Sequence, residues 1–357
     1  MTDSLFLQDI MNTPRSLADT VAFLDTQADA VARAVHGAGA RRIVALGSGS
    51  SWFAAVASAY LHHAFATSAQ TLVVTAPAGD FHLYPLPLSA RDAIVAVSVS
   101  GETIDALTLL GDVRGRHTLV GITNNAEASL ARLVDHVLPM QAGPSLVPTT
   151  TKTFVTSVAT LDLLWLSLLA VQGVTAAEPV RDELRSLATS VARAIAQARA
   201  QVAAAAARLA VCERLFVLGV GPLFPLAQEA ALVFKEIANC PAEAVQTREM
   251  AQGMLSVVDP TVGVIVLDPP GRSHEVARDI VAQCTALQAT VLTIGPTSSD
   301  LRIAVSCHDL LTPLVYSSPL FMLAGHVGAL RGVDSDRPQW EADYLRLTRR
   351  PLTEKDR

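Results

Sequence analysis

Short hydroxyl side chains crowd three stretches of the sequence. They are Ser48, Ser50 and Ser51 beside Gly47 and Gly49; Ser98, Ser100 and Thr103 beside Gly101; and Thr149, Thr150 and Thr151 ahead of Lys152. A hydroxyl both donates and accepts hydrogen bonds, and glycine lets the main chain turn sharply and approach a ligand. Where such a turn opens a helix, the first unpaired N–H groups point into it and favour an anion. These stretches therefore have the chemistry of a phosphate cup that needs no lysine or arginine. Serine and threonine are also good helix N-caps, and residue types alone leave both uses open. Two commoner nucleotide loops do not fit. Trp52 stands where a dinucleotide fingerprint needs its third glycine, and the next strand ends in Thr75-Ala76 rather than an acid. No Gly-Lys-Ser/Thr follows Gly47, so a P-loop is excluded as well.

The elements that must position these turns follow from the hydropathy pattern. Ile94 to Val97 is an apolar run that changes abruptly into Ser98-Val-Ser-Gly-Glu-Thr103, as a buried parallel strand does at its C-terminal end. Arg41–Leu46, Thr71–Thr75, Thr118–Thr123 and His136–Met140 read as further strands. Trp52–Phe65, Ile104–Leu110, Ala128–Leu133 and Phe154–Val171 read as the helices between and after them. Strands alternating with helices predict an α/β fold with a parallel sheet covered on both faces, and all three hydroxyl turns are expected on one edge of it. Residues 1–40 are expected to form a helical leader, with Leu17, Val21, Leu24, Ala28, Val31 and Val35 at helical spacing.

After residues 176–210, which are rich in Ala, Arg and Gln and predict a helical linker, the pattern restarts. Leu215–Leu218, Val262–Leu267 and Thr290–Ile294 are strands, and Leu226–Glu236 is a helix. Leu46-Gly-Ser-Gly49 and Leu218-Gly-Val-Gly221 share an offset of 172 residues with the pair Thr118-Leu-Val and Thr290-Val-Leu. A constant offset points to two tandem copies of one doubly wound unit. In the second copy the matching turns are Val220-Gly-Pro222 and Asp268-Pro-Pro270. Only the first copy is therefore expected to hold an anion.

At 357 residues the chain suits two domains. Half of its residues are hydrophobic, 17% are charged and the net charge is −6. An acidic balance argues against a nucleic-acid or anionic-membrane partner. The longest apolar run, Leu163–Val171, is too short to cross a bilayer. Met1–Asp9 lacks the basic start of a signal peptide, and four scattered cysteines read as reduced thiols. A cytoplasmic protein is expected. The sequence has no metal-ligand cluster, and no metal or organic cofactor is implied.

The chain resembles the sugar isomerase (SIS) domain family in tandem. More narrowly it is similar to the isomerase half of glutamine–fructose-6-phosphate aminotransferase and to stand-alone phosphosugar isomerases, deaminases and deglycases. The resemblance rests on Ser48–Trp52, Ser98–Thr103, Ala142–Lys152, Glu229–Glu236, Arg331–Pro338 and the leader Asp9–Pro14. It implies two flavodoxin-like domains, residues 41–175 for phosphate binding and 211–335 carrying a catalytic helix, with residues 1–40 packing on the first and 336–357 as a C-terminal tail. It implies that Ser50, Ser51, Ser98, Val99, Ser100 and Thr103 hold the phosphate of a hexose or amino-hexose 6-phosphate. Val99 stands where the synthase has Gln. Pro148, Thr149 and Thr150 would meet the sugar. Glu236 would carry the proton between C1 and C2, with Glu229 structural. Gln252 takes the place of the family's ring-opening His, Val233 that of a helix Lys, and Asp343 that of a tail Lys. Arg248, Glu249, His308 or His326 could substitute for them. A homodimer is implied; the synthase's glutaminase domain is not. Two functions stay open: a phosphosugar isomerase or amino-sugar-phosphate deaminase, and, as the alternative, a phosphosugar-binding regulator or a fructosamine-6-phosphate deglycase.

Overall fold

The computed structural model of the chain describes residues 4–66, 71–268, 274–296, 299–304, 306–339 and 347–348. Two parallel five-stranded sheets are flanked by helices, the α/β class expected. The first part of the chain runs α1 (Leu5–Met11), α2 (Thr13–Gly37), β1 (Arg42–Gly47), α3 (Ser50–Phe65), β2 (Leu72–Pro77), α4 (Ala78–Leu83), β3 (Asp92–Val97), α5 (Ile104–Val113), β4 (Thr118–Thr123), α6 (Ser129–Leu133), β5 (His136–Pro139) and α7 (Lys152–Val171). The second part runs α8 (Glu178–Arg199), α9 (Val202–Leu209), β6 (Arg214–Gly219), α10 (Leu223–Ala238), β7 (Ala242–Gln246), β8 (Val262–Leu267), α11 (His274–Ala286), β9 (Thr290–Gly295), β10 (Leu301–Arg302) and α12 (Thr312–Leu330).

Contacts divide the chain into two compact units. The first-sheet unit holds residues 19–143 and 156–181; the second-sheet unit holds residues 4–18, 144–155 and 182–338. Residues 1–40, read as one leader, are shared between them. The helical face expected from Leu17 to Val35 is buried throughout.

In the first-sheet unit the strand order is β2-β1-β3-β4-β5. Buried on both faces, β3 consists of apolar residues after Asp92, the pattern a covered parallel strand requires. Val44, Leu46, Ile94 and Ala96 pack with Leu107 and Leu110 of α5 and with Phe81. At the N-terminal end of the sheet the Arg42 guanidinium grips Asp92 with bonds of 2.6 and 3.0 Å. Burial opposes ionisation of Asp92, but Arg42 and the Ser89 N–H prevail and hold its carboxyl below the usual range.

In the second-sheet unit the order is β7-β6-β8-β9-β10, the same arrangement. The sequence pattern did not show β7, whose Ala-Glu-Ala-Val-Gln is poor in strand formers; it is an edge strand held by its ladder to β6. Helices α10 and α12 cross at Gly328, where an added Cβ would lie 2.2 Å from the Ile237 carbonyl oxygen. That close approach fixes the last turn of α10, which ends at Asn239 in the left-handed conformation.

Two helical stretches, Lys152–Val171 and Asp309–Leu330, are longer and more apolar than the run read from sequence and would match a bilayer by length and composition. In each, 89% of the apolar window is buried inside the protein, which marks core helices. All four cysteines are free, and Cys212, Cys240 and Cys284 are buried.

Candidate functional site

In the first-sheet unit β1 and β3 lie side by side with Leu46 opposite Ala96, and the strand order reverses between them. Open α/β sheets bind ligands beyond the C-terminal strand ends at such a point. The first two hydroxyl turns sit there. Gly47 ends β1 against the first turn of α3; a Cβ on it would fall 2.5 Å from the Ser51 carbonyl carbon. Gly49, with φ 54°, is the N-cap of α3 and supplies no side-chain cap. Thr103 is the N-cap of α5, yet its side chain makes no capping bond and hydrogen-bonds to Ser98 Oγ at 2.9 Å instead. The N-cap alternative therefore falls away for both helices, and their first N–H groups have no side-chain acceptor.

Ser98 is buried, and its Oγ also accepts from the Gly101 N–H at 3.1 Å, so it braces the turn from within. Ser50, Val99, Ser100 and Thr103 are half-buried, and Ser51 is 9% exposed. Gly101 has φ +69°, and a methyl there would lie 2.3 Å from Ala128 Cβ. Glu102, missed as a site residue, accepts from the Ser129 N–H at 2.8 Å. A carboxylate at the start of α6 thereby ties the turn to the next connection.

The third hydroxyl stretch follows β5, and residues 144–155 group with the second-sheet unit. There Thr149 is buried, Thr150 half-buried and Pro148 exposed. Glu236, half-buried on the last turn of α10, meets this stretch. Burial pushes the Glu236 carboxyl up to about 7; the Thr149 side chain against it and the positive charge of Lys235 pull the other way. The Thr149 hydroxyl is itself buried without a well-formed hydrogen bond. A carboxyl that titrates near neutrality can both take and return a proton.

The remaining sequence candidates are dispersed. Glu229 is fully buried, two turns before Glu236. Gln252 is exposed on the turn after the short 3₁₀ helix Glu249–Ala251, with Arg248 and Glu249 also exposed. Val233 is core. His326 turns its Nδ1 to the Met322 carbonyl at 2.9 Å. Asp343 lies outside the described residues. His62 is buried; it packs edge-on against Trp165 of α7, with ring centroids 6.1 Å apart. Helical spacing puts Ser58 on the same face, and Asp162 lies beside Ser58. A depression of about 310 Å³ is lined by Leu7, Gln8, Met11, Asn12 and Arg199, none of them a sequence candidate.

Comparison with known proteins adds three findings. The SIS domain model matches residues 38–167 and 208–310. Glutamine–fructose-6-phosphate aminotransferases from Gloeobacter violaceus and Pyrobaculum aerophilum are each 30% identical, over 84% and 93% of this chain but 50% and 56% of their own lengths. The chain thus spans about half the length of these curated relatives. Among solved structures, the C-terminal domain of glucosamine-fructose-6-phosphate aminotransferase from Francisella tularensis superposes with a TM-score of 0.85 at 21% identity, over 94% of this chain and 98% of that one. Glucosamine-6-phosphate deaminase from Thermotoga maritima gives 0.75 at 20% identity, over 94% and 98%. At such identities these likenesses show the fold.

Proposed function

The chain belongs to the SIS domain family, and from that premise we propose that it is a phosphosugar isomerase-type enzyme acting on a hexose or amino-hexose 6-phosphate. One observation carries the reaction type: Glu236, at the family's catalytic position, is a half-buried carboxyl pushed up to about 7. On an open-chain aldose phosphate it would take the C2 proton to leave an enediolate and return that proton to C1, while the O2 hydroxyl proton passes to O1, giving the ketose. On an amino sugar the same transfer gives a C2 imine, which water hydrolyses to the ketose and ammonia. The N-termini of α3 and α5, with Ser50, Ser51, Ser100 and Thr103, would hold the phosphate, and Ser98 and Val99 would shape the cup. Pro148, Thr149 and Thr150 would meet the sugar. We further propose a cytoplasmic homodimer.

The test is incubation with fructose 6-phosphate, glucosamine 6-phosphate and a fructosamine 6-phosphate, followed by proton NMR. Turnover of one of them is expected, reduced on the order of 10²–10⁴-fold by Glu236→Gln. Two observations favour a second reading, a phosphosugar-binding regulator. Gln252, at the family's His position, is an exposed amide that exchanges no proton near neutral pH, and Val233, at the family's Lys position, is core. Saturable binding without turnover of any of the three would establish it.

A further inference from the structure

Residues 140–151 contain no helix or strand, yet they end beside the one carboxyl that the proposed reaction needs. The buried polar groups of such a stretch must find partners outside any helix or strand ladder. Within the second-sheet unit those groups converge on Asp9, which is 1% exposed. Asp9 Oδ1 accepts from Lys152 Nζ at 2.7 Å and from the Leu146 N–H at 3.2 Å. Asp9 Oδ2 accepts from the Thr151 hydroxyl. Lys152, 3% exposed, spends a second proton on the Pro144 carbonyl at 2.7 Å. The carboxylate therefore grips the chain at 146 on one side of Thr149 and at 151 and 152 on the other.

Asp9 is itself held firmly. Its neighbours on α1, Phe6 and Ile10, are completely buried. The carboxylate of Asp336 accepts from the Leu5 and Phe6 N–H groups at 2.8 Å each, which fixes the start of α1. We propose that Asp9 is a positioning residue for the reaction, a clasp on α1 that closes the loop around Thr149 and so holds Thr149 against Glu236. It rests on the reading of Glu236 as the reacting carboxyl. A buried pair used only for stability would be expected to give way to apolar residues of similar volume with little loss; a clasp would not.

The experiment is a carbon-13 carboxyl titration of Glu236 in the full chain without substrate, beside turnover and melting temperature. The groups recorded against Glu236 are Thr149 from the loop and Lys235 from its own helix. In Asp9→Asn the loop loosens, water reaches Glu236, and its midpoint falls by about one unit or more toward the ordinary carboxylate range. In Thr149→Val the carboxyl stays buried and loses its partner, so the midpoint rises. The opposite signs are the signature. Asp9→Asn strands the Lys152 charge and is the change that threatens the fold. The double change Asp9→Asn with Lys152→Met removes both charges and is expected to fold, with the same downward shift. A lowered melting temperature with an unmoved Glu236 midpoint, in either the single or the double variant, overturns the clasp. If Glu236→Gln abolishes turnover while the midpoint in Asp9→Asn is unmoved, the clasp fails and the reaction stands. If the parent turns nothing over but the midpoint moves, the clasp stands and the reaction fails.

Discussion

The C-terminal edges of the two sheets are the same backbone with different chemistry. Both sheets place the strands in the same order. Both turn into the next helix through a glycine with no room for a side chain: Gly47 would clash with Ser51 and Gly219 with Leu223, at 2.5 and 2.4 Å. Both follow with a glycine of positive φ, 54° at Gly49 and 57° at Gly221. The next matching position differs. The N–H of Ser98 donates to Ile122 at 3.0 Å, and the N–H of Asp268 donates to Ile294 at 2.9 Å. At the first edge the side chain is a hydroxyl bonded to Thr103; at the second it is a carboxylate paired with His274 at 2.9 Å. A fixed carboxylate repels a phosphate that a hydroxyl would accept. The fold supplies the crevice twice, with a hydroxyl at one strand end and a carboxylate at the other.

Exchanging those side chains gives the strongest test of that contrast. Ser98→Asp should reduce affinity for fructose 6-phosphate more than 100-fold, because it puts a buried negative charge into the cup; calorimetry reads this, and an unchanged constant would break the comparison. Ser100→Ala combined with Thr103→Val should weaken binding on the order of 10- to 100-fold, as expected for losing hydrogen bonds to a charged group. Gly101→Ala should lower stability by roughly 1–3 kcal/mol through strain at positive φ, because φ is +69° and Ala128 blocks the added methyl; thermal unfolding measures it. The reverse exchange, Asp268→Ser, should leave phosphosugar affinity unchanged.

A buried cluster in the first-sheet unit predicts the pH dependence of folding. Burial pushes Asp162 up to about 8, partly offset by Ser58, and burial with the neighbouring His63 pushes His62 down to about 4. The folded chain keeps a proton on Asp162 that the unfolded chain releases, so this contribution is complete below the unfolded carboxyl value and is lost as pH rises through about 8. His62 acts oppositely: its contribution is present above 6.5 and is lost as pH falls through about 4. Above pH 6.5 only the first effect remains. The melting temperature should fall from pH 6.5 to 8.5, and Asp162→Asn should flatten that fall.

The strands other than β7 and β10 were legible because each is a short apolar run bounded by turn residues. The matching offset of the two halves was legible as well, since the glycines at 47 and 219 are forced by backbone contact. What the sequence hid was long-range. Asp9 and Thr151 are 142 residues apart, and nothing local marks either as a partner of the other. For the same reason nothing local marks Thr149 as the neighbour of Glu236, 87 residues further on. His62 and His63 are adjacent on α3, and only the packing of the helix decides that the first is buried and the second exposed.

The central claim, that the first edge binds the phosphate and the second does not, is tested most directly by a crystal structure with an open-chain hexitol 6-phosphate. The predicted result is a phosphate within hydrogen-bonding distance of the N–H groups that open α3 and α5 and of the Ser100 hydroxyl. A phosphate seated beyond β6 and β8, next to Gly221 and Asp268, would contradict it.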